Sequence, residues 1–402
     1  MPHVPDGSSA KGALSAPEGG ELLDIYLDNA ATSHPKPASV LEAVRKALTD
    51  FNANPGRSGH KRALAAGRVV LEARESLASL MGAEDPFSII FQFNCTDALN
   101  LAIKGSAERG CHIISTLLEH NSVLRVLTGL QQRRIAAVTL VAPRPDGCID
   151  PDDIRREIRR NTSLIVMTQA SNVTGAIQPA AAVGRLAQQH GIRYLIDGAQ
   201  ALGSLPVDVQ ALKCDLYAFP GHKSLLGPQG TGGLYIRPGT QMNTLREGGT
   251  GSSSDSMEQP AELPERFESG TLNLPGIAGL KAGTDHVRSN LAEIFMRERE
   301  LTQMLFEGLQ QIPGITLYSP PDPASRAGIV SFNIADLSSS QAADSLSRAN
   351  ICVRGGLHCA PGAHQFLGTL RRGAVRASVG HTTTHEDIES LLAAVHRLQA
   401  EA

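Results

Sequence analysis

Seven short apolar runs rich in β-branched and aromatic residues recur between residues 36 and 240, and helical periodicity fills most of the gaps between them. The runs are Ser88–Phe93 (SIIFQF), His112–Thr116 (HIIST), Ala137–Val141 (AVTLV), Ser163–Thr168 (SLIVMT), Arg193–Ile196 (RYLI), Asp215–Phe219 (DLYAF) and Gly233–Ile236 (GLYI). Helical patterns lie at Asp152–Arg160 and Pro179–His190, among others. Parallel strands cannot be joined by a tight turn, and a helix is their usual return path. The alternation therefore predicts an α/β domain whose mostly parallel sheet is flanked by helices.

After residue 240 the pattern changes. Gly248–Ser256 (GGTGSSSDS) has too little apolar content to pack, and Pro260, Pro264 and Pro275 punctuate the next stretch of chain. A long helical pattern from Leu280 to Ile312 leads to a strand at Ile329–Ile334, a helix near Ser340–Ala349 and a strand at Ile351–Arg354. In the last helix Thr383 stands three residues before Glu386, the spacing of a capping box, and Ile388, Leu391, Leu392, Val395 and Leu398 share one face. This part reads as a smaller α+β domain. Residues 1–21, rich in Gly, Pro, Ala and Ser without periodicity, read as a flexible arm.

Composition narrows the class of partner. The 37 Lys and Arg nearly balance 40 Asp and Glu, so the chain lacks the basic footprint of a nucleic-acid or anionic-membrane binder. No apolar run reaches the roughly 18 residues of a membrane helix, and the start lacks a secretory h-region. Six cysteines lie far apart with no C-x-x-C pair, which argues against a disulfide scaffold or zinc ribbon and for a reducing cytoplasm. His381 and His385 have helical metal-ligand spacing, but no third ligand accompanies them, and no metal is expected.

The most informative segment is Tyr194–Lys223, in which an acid, Asp197, ends one strand and a lysine, Lys223, follows the next. Parallel sheets hold ligands in the loops at their strands' carboxyl ends. A lysine there is partly desolvated, which lowers its pKa and frees the amine to form a Schiff base. Pyridoxal phosphate needs such an amine, and a carboxylate to keep its ring nitrogen protonated. Alone, each residue would be an ordinary loop lysine or turn acid.

Together, D-G-A-Q (Asp197–Gln200) and G-H-K (Gly221–Lys223) resemble the signature of the cysteine desulfurases, pyridoxal phosphate enzymes of fold type I in the class V aminotransferase superfamily. The resemblance spans nearly the whole chain after residue 24. It implies that Asp197 is the acid for the pyridine nitrogen, that Gln200 and Asn172 (in SNVTG) lie near the ring hydroxyl, and that Lys223 is the Schiff-base lysine. It places Thr96 (in NCTDALNLA) and His222 at the phosphate, and His120 (in LLEHNSV) over the ring, where it moves protons. ESGTLN (Glu268–Asn273) is similar to the segment that reaches the neighbouring subunit's phosphate through a threonine, here Thr271, which implies a homodimer. YLDNAAT with Asn29 and NPGRSGHKR with Arg57 are similar to the family's substrate-side segments. One departure is Pro220, which stands where members commonly carry Ser or Thr and offers neither hydroxyl nor N–H to the phosphate.

Cys352–His364 (CVRGGLHCAPGAH) resembles the family's R-x-G-x-x-C loop, with Arg354 and Cys359 at matching positions. There a cysteine attacks the substrate's sulfur, a task for an exposed thiolate near positive groups, here Arg354 and His358. Cys111, Cys148 and Cys214 are expected to be buried small hydrophobes, and Cys352, in a strand-like context, to be buried as well. Arg376 (in VRASVGHTT) matches the arginine that clamps the substrate carboxylate. The implied organisation is an arm (1–21), an N-terminal segment near the small domain (22–35), a large cofactor-binding domain (36–275) and a small domain (276–402) carrying the Cys359 loop. The implied reaction converts L-cysteine to L-alanine and leaves a persulfide on Cys359 for a sulfur acceptor. Selenocysteine lyase, or a class V aminotransferase or C–S lyase acting on another amino acid, are the alternatives on the same scaffold.

Overall fold

A computed structural model describes residues 24–56, 59–252 and 255–401. The arm expected over 1–21, and Arg57, lie outside the described residues. The chain enters through strand β1 (Ile25–Tyr26) and helices α1 (Ala38–Thr49) and α2 (Lys61–Met81). Then come β2 (Ile89–Gln92), α3 (Cys95–Ser106), β3 (Cys111–Thr116), α4 (Asn121–Gln132), β4 (Ala136–Val141) and α5 (Pro151–Arg156). Next are β5 (Thr162–Thr168), α6 (Ala180–Gln189), β6 (Arg193–Asp197), α7 (Val209–Leu212), β7 (Leu216–Pro220) and β8 (Gly232–Ile236). The long α8 (Leu274–Gln310) leads to β9 (Ile315–Leu317), β10 (Ile329–Ile334), α9 (Ser339–Arg348), β11 (Ile351–Cys352) and β12 (Arg354–Gly356). The chain closes with α10 (Pro361–Phe366), β13 (Ala374–Ser378) and α11 (His385–Glu401).

The large sheet has the order β2-β8-β7-β6-β5-β3-β4. From β7 to β4 the strands are parallel, and β8 runs antiparallel to both β7 and β2. Such a sheet is covered on both faces, which is why its strands read as continuous apolar runs. Successive side chains still alternate. Ile165, Met167, Tyr194, Ile196, Tyr217 and Phe219 join one apolar layer, whereas Leu164, Val166, Leu195, Leu216 and Ala218 join the other.

The second sheet, β12-β13-β10-β9, is antiparallel, and β1 pairs in parallel with β11 beside it. Its core gathers Leu27, Phe332, Val375 and Leu391. Helix α8 serves both halves: Ile277, Leu280, Val287 and Ile294 pack under the large sheet, and Leu301, Leu305 and Leu309 under the small one.

Several local expectations shift. Helix α8 starts at Leu274, not Leu280, because Pro275 falls in the first turn, where its missing N–H costs nothing, and Asn273 caps Gly276 N–H at 3.1 Å. The run Ile351–Arg354 splits between two partners, β1 for Ile351–Cys352 and β13 for Arg354–Gly356. Helix α5 stops at Arg156, short of Arg160. The final capping pair is Thr384 with Asp387 (3.1 and 2.9 Å), not Thr383 with Glu386. Thr383 is buried, and its hydroxyl is taken by the Gly380 N–H at 2.9 Å. His381 precedes the helix, and so does not share a helical face with His385.

Phe332 is fully buried between β9 and β13. Phe332→Ala should lower the unfolding free energy by about 3–5 kcal/mol, measured by urea denaturation, from lost transfer energy and the cavity left behind.

Candidate active site

Because β5, β6 and β7 are parallel, their carboxyl ends at Thr168, Asp197 and Pro220 lie along one edge of the sheet. The loops beyond these ends carry Asn172, Gln200, His222 and Lys223 to that edge. Helix α3 begins there at Cys95, and α4 begins beside it with His120 as its N-cap. Opposite stand Arg354 of β12 and Arg376 of β13. A cavity of about 220 Å³ opens between these walls, lined by Thr96, His120, Asn172, Asp197, Gln200, His222, Lys223, Arg354 and Arg376. Gly198 permits this close assembly, since a Cβ there would sit 2.2 Å from the Tyr217 ring.

Asp197 is 3 % exposed, and its Oδ1 accepts the Ala199 N–H at 2.9 Å and the Cys95 thiol at 3.6 Å. Burial lowers the pKa of the Lys223 amine, with Asp197 pulling the other way. Asn94 caps α3 by accepting from Asp97 N at 2.9 Å, and the first turn otherwise presents N–H groups suited to an anion. Thr96 Oγ1 lies 2.8 Å from Ser122 Oγ, which lies 2.8 Å from His120 Nδ1. That Nδ1 also accepts the Ser122 N–H at 3.0 Å, which places the proton of neutral His120 on Nε2. Burial lowers the His120 pKa, and burial with Lys223 pushes His222 down to about 4.

Arg376 is 1 % exposed and ties three parts of the chain together. Its Nη2 meets Asp28 at 2.9 Å and its Nη1 donates to Asn172 O at 2.9 Å, while Nε is buried without a partner. Asn172 Nδ2 donates to His358 O at 2.7 Å, Gln200 Nε2 to Ala30 O at 3.0 Å, and His222 Nδ1 lies 3.1 Å from Thr32 Oγ1.

Three expected site residues lie outside this cavity. Asn29 is buried in a smaller neighbouring cavity that Gln200 also lines, with its Nδ2 on Ser378 O at 3.1 Å. Thr271 is exposed and lines a separate hollow with Gln92 and Arg246. Cys359 is exposed, directly after cavity-lining His358, and its carbonyl accepts Asn121 N–H at 2.7 Å.

His358 corrects an expectation. It is 3 % exposed, its Nε2 lies 3.0 Å from Ala374 O, and burial beside Arg376 pushes its pKa down to about 3. It is neutral at physiological pH and brings no positive charge to Cys359. Cys352 is half-buried, its thiol donates to Asp24 at 3.2 Å, and burial raises its pKa to about 11. Cys111 and Cys214 are buried as expected, whereas Cys148 is half-buried.

Two further cavity neighbours carried no sequence signal. Cys95 precedes Thr96 as an ordinary cap-region residue. Glu119 is fully buried, with Oε1 accepting Thr116 Oγ1 at 2.6 Å and Thr168 N–H at 3.1 Å, and Oε2 without a partner. Burial raises its pKa to about 8, so it is mostly neutral at pH 7. The donor set suits one kind of ligand: an aldehyde for the amine, a basic ring nitrogen for the buried carboxylate, and a phosphate for the helix start and hydroxyls.

The depressed pKa of His358 has a consequence for stability. The unfolded chain takes up this proton near the ordinary value of 6.5 and the folded one only near 3, so the contribution is complete above 6.5 and is lost as pH falls through that window. In denaturation series from pH 7 to 4, His358→Gln should flatten the acid limb by about one proton, or about 1.4 kcal/mol per pH unit. An unchanged slope would contradict the assignment.

A family model described as aminotransferase class-V matches residues 25–391. A probable cysteine desulfurase of Methanothermobacter thermautotrophicus is 36% identical over 376 residues, covering 91% of this chain and 92% of that one. The cysteine desulfurase of Salmonella agona is 33% identical over 383 residues, 93% of each chain. Among solved structures, the apo cysteine desulfurase of Thermococcus onnurineus superposes with a TM-score of 0.89 at 32% identity, covering 94% of this chain and 95% of that one. A sheet of this order, a cavity at its carboxyl edge and a family match over nearly the whole chain agree: the chain belongs to the class V aminotransferase family.

Proposed function

We propose that the chain is a pyridoxal phosphate-dependent cysteine desulfurase, converting L-cysteine to L-alanine and leaving a persulfide on Cys359. The observation that carries this reading is the single cavity holding Lys223, Asp197 and His120 beside the exposed Cys359 loop. When bound, pyridoxal phosphate supplies an aldehyde for an amino group and a protonated ring that withdraws electrons from the substrate's α-carbon.

The chain's own residues divide the remaining work. Lys223, its basicity lowered by burial, holds the cofactor and yields it to the substrate amine. Asp197 keeps the ring nitrogen protonated, and Asn172 and Gln200 stand by the ring hydroxyl. Thr96, His222 and the first turn of α3 hold the phosphate together with the partner's Thr271, since Pro220 offers no donor. The active unit is then a homodimer. Lys223 or the Nε2 of His120 moves the α-proton.

Arg354 and Arg376 supply the positive charge that the substrate carboxylate needs. Arg376, whose Nη2 also meets Asp28 at 2.9 Å, clamps the carboxylate, with Arg354 beside it in the cavity lining. Asn29 and Arg57 complete the substrate side. The Cys359 thiolate attacks the substrate sulfur: an S–S bond forms, the C–S bond breaks, and its electron pair remains with the carbon skeleton, which takes up protons to become alanine. The persulfide passes to a sulfur acceptor. Residues 36–275 would form the cofactor-binding domain and 276–402 the domain bearing the Cys359 loop, with 22–35 beside it. No helix among the described residues is long and apolar enough to cross a membrane, and the cytoplasm is the proposed location.

Alanine and sulfide release from L-cysteine, with and without a reductant, tests the reading. Cys359→Ala should lose at least roughly 100-fold in turnover while keeping the visible absorption of bound cofactor, and Lys223→Ala should lose that absorption. Full turnover in Cys359→Ala would overturn the desulfurase assignment.

A further inference from the structure

One group in the cavity takes no part in the reaction as described. Cys95, the first residue of α3, lines the cavity and is half-buried. Its thiol donates to Asp197 Oδ1 at 3.6 Å, the same oxygen that accepts the Ala199 N–H at 2.9 Å. Among the described residues no protein donor meets Asp197 Oδ2. A cysteine that only filled space would need no polar partner. Burial and the neighbouring Asp197 charge raise the pKa of this thiol well above its usual range, so it remains a donor throughout the neutral range.

We propose that Cys95 is a positioning residue for Asp197: by placing a second donor on Oδ1 it leaves Oδ2 as the oxygen for the cofactor's ring nitrogen and weakens the negative field felt at Lys223. The inference rests on the cofactor reading above. A hydrogen bond to the charged form of a carboxylate favours that form and spreads its charge. Removing the thiol leaves the Asp197 charge less dispersed and strengthens the negative field that it exerts at Lys223, which favours a protonated nitrogen there.

Other ionisable groups line the cavity or, as Tyr217 and Glu119 do, lie buried behind its lining within electrostatic reach of Asp197. Lys223 and His222 come from the loop after β7, Tyr217 from β7 itself, and Glu119 and His120 from the segment between β3 and α4. The small sheet contributes Arg376 and Arg354, and the loop after β12 adds His358. A substitution at Cys95 alters none of these side chains, so a difference between variants reports the thiol.

The test is a pH titration of the visible band of holoenzyme reconstituted with pyridoxal phosphate, in wild type, Cys95→Ala and Cys95→Ser, with thermal melting followed in parallel. Cys95→Ala should raise the midpoint by roughly half a pH unit, the shift that one weak hydrogen bond makes, and Cys95→Ser, which retains a donor, should bring it back to the wild-type value. An unmoved midpoint in Cys95→Ala with only a lowered melting temperature would overturn the proposal, as would a Ser variant displaced as far as the Ala one. A wild type that takes up no cofactor and shows no visible band would overturn the cofactor reading itself, a result distinct from an unmoved midpoint.

Discussion

The parallel course of β5, β6 and β7 is the constraint on which the cavity depends. Three neighbouring strands that end on one edge deliver Asn172, Asp197 and Lys223 to a common space although 51 positions separate the first from the last. The backbone hydrogen bonds of the buried strands fix Asp197 at the end of β6 directly and anchor the short loops that carry Asn172 and Lys223. Arg376 then locks the opposite wall, since one guanidinium joins the small sheet to Asp28 near the N-terminus and to Asn172 after β5. Loss of that ion pair would leave a buried charge uncompensated and loosen three segments at once.

The electrostatics of the cavity are simpler than its number of titratable groups suggests. His120, His222 and His358 are all held toward the neutral form by burial, and Glu119 toward the protonated form. Asp197 faces Lys223, whose amine burial makes less basic, and Arg354 and Arg376 line the far side of the cavity. A carboxylate at one end and guanidinium groups at the other suit a ligand with a basic ring nitrogen and anionic substituents. Neutral imidazoles suit proton movement better than static charge stabilisation.

The large sheet could be read from the chain because burial on both faces demands continuous apolar runs, and each of the seven runs forms a strand within a residue or so of its expected limits. Cap positions were less legible. Thr383 and Thr384 are chemically equivalent neighbours, and only tertiary burial of the first decides which one caps α11. The aspartate and lysine that face the cavity stood out through their motif, whereas Cys95 and Glu119 did not, since what they do depends on contacts across the sheet, Cys95 with Asp197 and Glu119 with Thr168. His358 looked cationic beside a cysteine. Its burial, invisible in local sequence, makes it neutral.

The central claim is that the Lys223 amine binds the cofactor covalently above a buried carboxylate. Borohydride reduction of the holoprotein followed by peptide mass mapping tests it most directly. The expected result is one added pyridoxyl phosphate mass, on the peptide containing Lys223. A label on another lysine, or none on a protein that retains its cofactor, would contradict it.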